Sequence, residues 1–167
     1  MLEQEAAVAL ETCEGVDLTV LARREGTPLY VYSTDAIRSR LKALQAALQD
    51  MDAGICYAVK ANSNGAVLRM LGEMGAGADI VSGGELQRAL RAGIPADRIV
   101  FSGVGKSADE IEQGLDAGVA RFNLESLAEL DLLQALASKR GVIARASVRI
   151  NPDVDAMTHA KISTGKS

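Results

Sequence analysis

One pattern recurs along this chain and leaves few folds open to it. An apolar run rich in Val, Ile or Ala is followed by Ser-x-x-Glu, a stretch of helical period, a Gly, and then the next apolar run. In "ADIVSGGELQRALRAG" the pair is Ser82 and Glu85 and the unit ends at Gly93. In "IVFSGVGKSADEIEQGLDAG" it is Ser107 and Glu110, ending at Gly118, and in "RFNLESLAELDLLQALASKRG" it is Ser126 and Glu129, ending at Gly141. Each Ser-x-x-Glu reads as a capping box, the hydroxyl and the carboxylate satisfying two orphan amides at a helix start. Each Gly supplies the left-handed residue that ends a helix.

The apolar runs predict strands beginning near Ile55, Ala78, Ile99, Arg121 and Ala146. Their spacing of roughly 20–25 residues suits βαβ crossovers and a parallel sheet. Upstream, "LYVYS" (Leu29 to Ser33) predicts a short strand, and Ile37, Leu41, Leu44 and Leu48 repeat at helical spacing. Residues 1–27 have no clean period and are set off by Gly26-Thr27-Pro28, so they read as an extension outside the repeat, with the repeat domain covering 28–167. Successive β-helix units build either an open doubly wound sheet or a closed (β/α)8 barrel. The open sheet calls for Gly-x-Gly-x-x-Gly after its first strand, and "VKANSNG" does not supply it. Near-equal units favour the α/β barrel of the TIM type, of which about the first five strands are expected before Ser167.

Composition narrows the partners. A net charge of -4 argues against nucleic acid and anionic membrane, which both need a basic face. The opening "MLEQE" is acidic where a signal peptide is basic, and no apolar run has the length of a membrane span, so a cytoplasmic protein is expected. Cys13, Cys56 and the single His159 are too few for a disulfide framework or a metal cluster.

Two stretches, "GVGKS" and "STGKS", resemble a phosphate loop only in part. The loop needs a Gly five residues before the Gly of Gly-Lys-Ser, and Val100 and Ala160 stand there instead, so both read as solvated turns. Lys60 is different. In "CYAVKANSNG" it closes an apolar run and shares parity with Cys56 and Ala58, which face inward on a barrel strand, whereas Tyr57, Val59 and Ala61 face the helices. The carboxyl end of a barrel strand is where such folds keep their chemistry, and a lysine held there away from bulk water serves as an amine nucleophile. A lysine snorkelling to the rim is the alternative. Cys56 itself reads as a small core residue.

"YAVKANSNGAVLRMLGEMGAGADIVSGGELQRALRAG", "IVFSGVGKS", "FNLESLAEL" and "RINPDVD" together resemble the amino-terminal part of the diaminopimelate decarboxylases, members of the alanine-racemase-like group of pyridoxal-phosphate enzymes. The resemblance runs from about Gly15 to Ser167, and "SNGAV" after Lys-Ala-Asn favours the decarboxylase branch over the racemases, which tend to carry Tyr-Gly-His there. It implies that pyridoxal 5'-phosphate is the cofactor, that Lys60 holds it covalently, and that Asp79 and Arg149 contact it, Arg149 at the phenolic oxygen. It implies a small-molecule amino-acid substrate, meso-diaminopimelate giving L-lysine, with ornithine- or arginine-type decarboxylation as the alternative, and a homodimer. It further implies that the phosphate-binding glycine loop, the acidic partner of the pyridine nitrogen, the substrate arginines and a cysteine from the neighbouring subunit follow Ser167. From another class, a non-catalytic half-barrel serving as an interaction module remains open, as do structural roles for Asp79 and Arg149. His159 reads as a mobile surface residue.

Overall fold

The computed structural model of the chain describes residues 12–150. Contacts divide the chain into two compact units, Met1–Asp52 and Ala53–Ser167. In the first, strands β1 (Thr12–Cys13) and β2 (Val16–Asp17) form an antiparallel hairpin. Helices α1 (Leu18–Glu25) and α2 (Thr34–Ala47) follow. The aperiodic region thus contains a helix that pattern alone missed. The apolar stripe of α1 is short, Leu18, Leu21 and Ala22, and none of its residues is buried; its start is set by Asp17, whose carboxylate accepts from the Thr19 and Val20 amides at 2.8 and 2.9 Å. Glu14 fastens the hairpin turn to the start of α2, accepting from the Ser33 hydroxyl at 2.6 Å, the Thr34 hydroxyl at 3.0 Å and the Asp35 amide at 2.8 Å. The strand expected over 29–33 does not form, and Tyr30 and Tyr32 are exposed. Among the described residues no neighbouring strand is paired with this run, and β propensity without a ladder does not make a strand.

The second unit is the repeat made solid. Strands β3 (Cys56–Ala58), β4 (Gly77–Ile80), β5 (Ile99–Phe101), β6 (Arg121–Leu124) and β7 (Ala146–Val148) form one parallel sheet in strictly sequential order. Helices α3 (Gly65–Glu73), α4 (Gly83–Arg91), α5 (Ala108–Ala117) and α6 (Leu127–Arg140) lie between them. A doubly wound sheet reverses strand order at a switch point, whereas a barrel adds each strand beside the last, so this order is that of a barrel's first part.

Strand parity sorts the two faces of the sheet. Ala78, Ile80, Ile99, Phe101, Phe122 and Leu124 are buried toward the helices with Leu68, Leu86, Ile111 and Leu133. The Phe101 and Phe122 rings stack with centroids 5.9 Å apart, and burying each contributes about 1.5–3 kcal/mol. Gly114 of α5 lets that helix approach them, since a Cβ there would stand 2.8 Å from the Phe122 ring.

The helix starts follow the expected serines, with one difference. Only Ser107 and Glu110 form the full reciprocal box. At Ser82 and Ser126 the hydroxyl caps the helix, but the glutamate reaches one residue further back, Glu85 accepting from the Val81 amide at 2.7 Å and Glu129 from the Glu125 amide at 2.8 Å. Gly118 and Gly141 end α5 and α6 in the left-handed conformation, while α4 ends at Ala92 with Gly93 just beyond.

Candidate functional site

The carboxyl ends of β3 to β7 open into a recess of about 610 Å³. Lys60, Asp79 and Arg149, far apart in sequence, all line it. Ser102, Asn123, Glu125 and Ser147 join them. The volume is in the range usual for small-molecule sites.

Each side chain arrives by its own route. After Ala58 the chain leaves the sheet in a 3-10 turn, Val59–Ala61, that carries Lys60. Tyr57 and Val59 do join the helix-side core, but strand parity stops at Ala58, so Ala61 and Lys60 are exposed. In this chain Lys60 lies on the solvent-facing rim of the recess. Cys56 is also exposed, because nothing among the described residues covers the inner face of β3.

Asp79 sits in β4 on the inner face, and its carboxylate accepts from the Ser102 hydroxyl at 2.5 Å. Ser102 in turn accepts from the Asn123 side-chain amide at 2.9 Å. The chain Asn123 to Ser102 to Asp79 steps across three successive strand ends and fixes the carboxylate by a hydrogen-bond donor. Arg149 lies just past β7, where its amide donates to the Leu124 carbonyl at 2.9 Å. Its guanidinium donates to both Glu125 oxygens, at 3.1 and 3.3 Å. Asp79 and Arg149 thus have protein partners and also face the recess. His159 and the "STGKS" stretch lie outside the described residues.

Beneath the rim is a group that the sequence reading placed in water. Lys106 of "GVGKS" is buried, not a solvated turn residue. Its ammonium donates to the Gly103 carbonyl at 2.8 Å, the Asn123 carbonyl at 2.7 Å and the Glu129 carboxylate at 2.9 Å. Glu129 also accepts from the Glu125 amide, so one ion pair ties the loop after β5, with Gly103, to the end of β6 and the residue after it, Asn123 and Glu125, all of which line the recess. A buried ammonium is tolerable only with such full satisfaction. Ser102, Asn123 and Glu125 were not singled out from sequence. The available signal was position, since each apolar run ends in a polar residue at the strand end where the recess opens.

Comparison with known proteins follows the same lines. Residues 34–167 match the family model described as pyridoxal-dependent decarboxylase, pyridoxal binding domain. The diaminopimelate decarboxylase of Aquifex aeolicus is 54% identical over 152 residues, which are 91% of this chain and 36% of that protein. That of Pseudomonas fluorescens is 54% identical over 153 residues, 91% of this chain and 37% of that one. The crystal structure of the Helicobacter pylori diaminopimelate decarboxylase complexed with L-lysine is similar with a TM-score of 0.84 at 48% identity, over 89% of this chain and 38% of that one. The chain therefore spans little more than a third of the length of these relatives.

Proposed function

Since this chain belongs to the pyridoxal-dependent decarboxylases, through their pyridoxal-binding domain, we propose that the whole protein removes one carboxylate of meso-2,6-diaminopimelate as CO2 and releases L-lysine, a step of lysine biosynthesis. The cofactor of the family is pyridoxal phosphate. The residues present fit it. An aldehyde needs a primary amine, and Lys60 brings one to the rim of a recess that also holds a positioned carboxylate, Asp79, and a guanidinium, Arg149. That convergence at the strand ends is the observation that carries the reading.

When bound, the cofactor supplies the electron sink that lets a carboxylate leave an amino-acid carbon. The chain's own residues supply placement. Lys60 would give the amine that holds the cofactor's aldehyde and is the group a substrate amine would displace. Asp79, held by Ser102, presents an acceptor of fixed orientation, and Arg149 presents donors to an anionic oxygen, steadied by Glu125. As parts of the same reading, residues 1–27 are an extension outside the barrel, residues 28–167 belong to the cofactor domain, the protein is cytoplasmic, as its acidic opening and lack of a span-length apolar run suggest, and it is a homodimer, as the resemblance implies.

The test is borohydride reduction of the complete protein with its cofactor, followed by peptide mapping. The label is expected on Lys60, and Lys60→Ala is expected to abolish CO2 release from diaminopimelate. A label on Lys106, or turnover retained without Lys60, refutes the assignment.

A further inference from the structure

On the helix side of the second unit a separate recess of about 490 Å³ lies between α3 and α4, lined by Ser63, Arg69, Gln87, Arg88 and Arg91 together with Gly65, Gly84 and Ala92. We propose that it is a binding site for a small polyanion bearing phosphate or several carboxylates. The proposal does not rest on the decarboxylase reading and concerns a different face of the fold.

Its lining holds three guanidinium groups and no carboxylate, in a chain where acids outnumber bases 22 to 18. Arg24, Arg140 and Arg149 each have a carboxylate partner. The guanidinium groups of Arg69, Arg88 and Arg91 have neither ion pair nor hydrogen bond among the described residues. Three unanswered like charges around one concavity repel one another, and a ligand of opposite charge relieves that repulsion.

The cluster also has recognisable geometry. Gly84, Gln87, Arg88 and Arg91 are spaced three, four and seven residues along one face of α4, and Arg69 faces them from α3. The two arginines of α4 fall in its last turn, where cations suit the helix dipole. Arg69, in the middle of α3, has no such reason to be there. Gly65 and Gly84 also line the recess, and neither is demanded by packing. A Cβ at Gly65 would meet nothing within 4 Å, and at Gly84 only the Ser82 hydroxyl at 3.8 Å. Guanidinium groups offer paired N–H donors that match phosphate and carboxylate oxygens, and the Ser63 hydroxyl and Gln87 amide add neutral donors beside them.

The experiment is titration calorimetry at low salt on the intact protein saturated with pyridoxal phosphate, so that the cofactor site is filled, with pyrophosphate and with citrate as probes. One site is expected for at least one probe, weakening as salt rises. The triple variant Arg69→Gln/Arg88→Gln/Arg91→Gln is expected to lower that affinity about tenfold or more. Hydrogen exchange on the unmodified protein gives a readout independent of the variant's folding. The probe is expected to slow amide exchange in 65–69 and 84–91. No binding of either probe, undiminished binding by the triple variant, or protection confined to other segments overturns the proposal.

Discussion

Replacing Glu129 by Gln tests the buried pair beneath the recess. The change keeps the shape of the side chain and leaves an amide oxygen to accept from the Glu125 amide, so charge is what is removed. Lys106 would remain with its side chain 1% exposed and with only the Gly103 and Asn123 carbonyls as acceptors. Leaving a buried charge without its counterion costs about 3–5 kcal/mol. Removing both charges is different, because the desolvation of the ions disappears with their attraction. Lys106→Met/Glu129→Leu is therefore predicted to be less destabilised than Glu129→Gln alone. Equilibrium urea unfolding of the intact protein, followed by circular dichroism, measures both. Hydrogen exchange of residues 103–106 and 123–129 reports whether the loss is local. A Glu129→Gln protein within about 1 kcal/mol of the parent would refute the reasoning. So would a double variant damaged as much as the single one.

Glu110 gives a pH-dependent case. The Gly83 amide, and after it the Ser107 amide, hold its carboxyl below the usual carboxylate range. A depressed folded value means that its stabilisation is present above the unfolded value of about 4.3 and is lost as pH falls through the folded one. Glu110→Gln should thus cost about 1 kcal/mol at neutral pH and nothing in strong acid, and a difference that persists at low pH would count against it. Gly114→Ala should destabilise by about 1–3 kcal/mol despite alanine's better helix propensity, since its Cβ would meet the Phe122 ring at 2.8 Å and Phe101 at 3.2 Å. A raised melting temperature would contradict this. Asp79→Ala and Arg149→Ala in the complete protein should each weaken cofactor binding, measured by absorbance titration, far more than they lower the melting temperature. The opposite ranking would assign them a structural role.

What the sequence determined by itself was, within the repeat, where the strands begin and which serines cap the helices. The five strands begin at or within one residue of the expected Ile55, Ala78, Ile99, Arg121 and Ala146, and Ser82, Ser107 and Ser126 each cap a helix. Strand parity and capping act over at most about four residues, so the pattern carries them directly. Lys60 was legible because a lysine ending an apolar run is anomalous wherever it occurs. Its exposure was not, because that depends on the chain leaving the sheet after Ala58 and on what stands across the inner face. Tertiary structure alone decided the partners: Lys106 with Glu129 and with the Asn123 carbonyl, Asp79 with Ser102, and Arg149 with Glu125 are 17 to 24 residues apart. Each joins neighbouring β-helix units, and one unit's sequence does not encode how closely the next will stack. That is why "GVGKS" read as a solvated turn, although its lysine is among the most completely buried charges described here. Burial of a charge is settled by whether acceptors from elsewhere in the chain surround it, and only the assembled sheet brings them together.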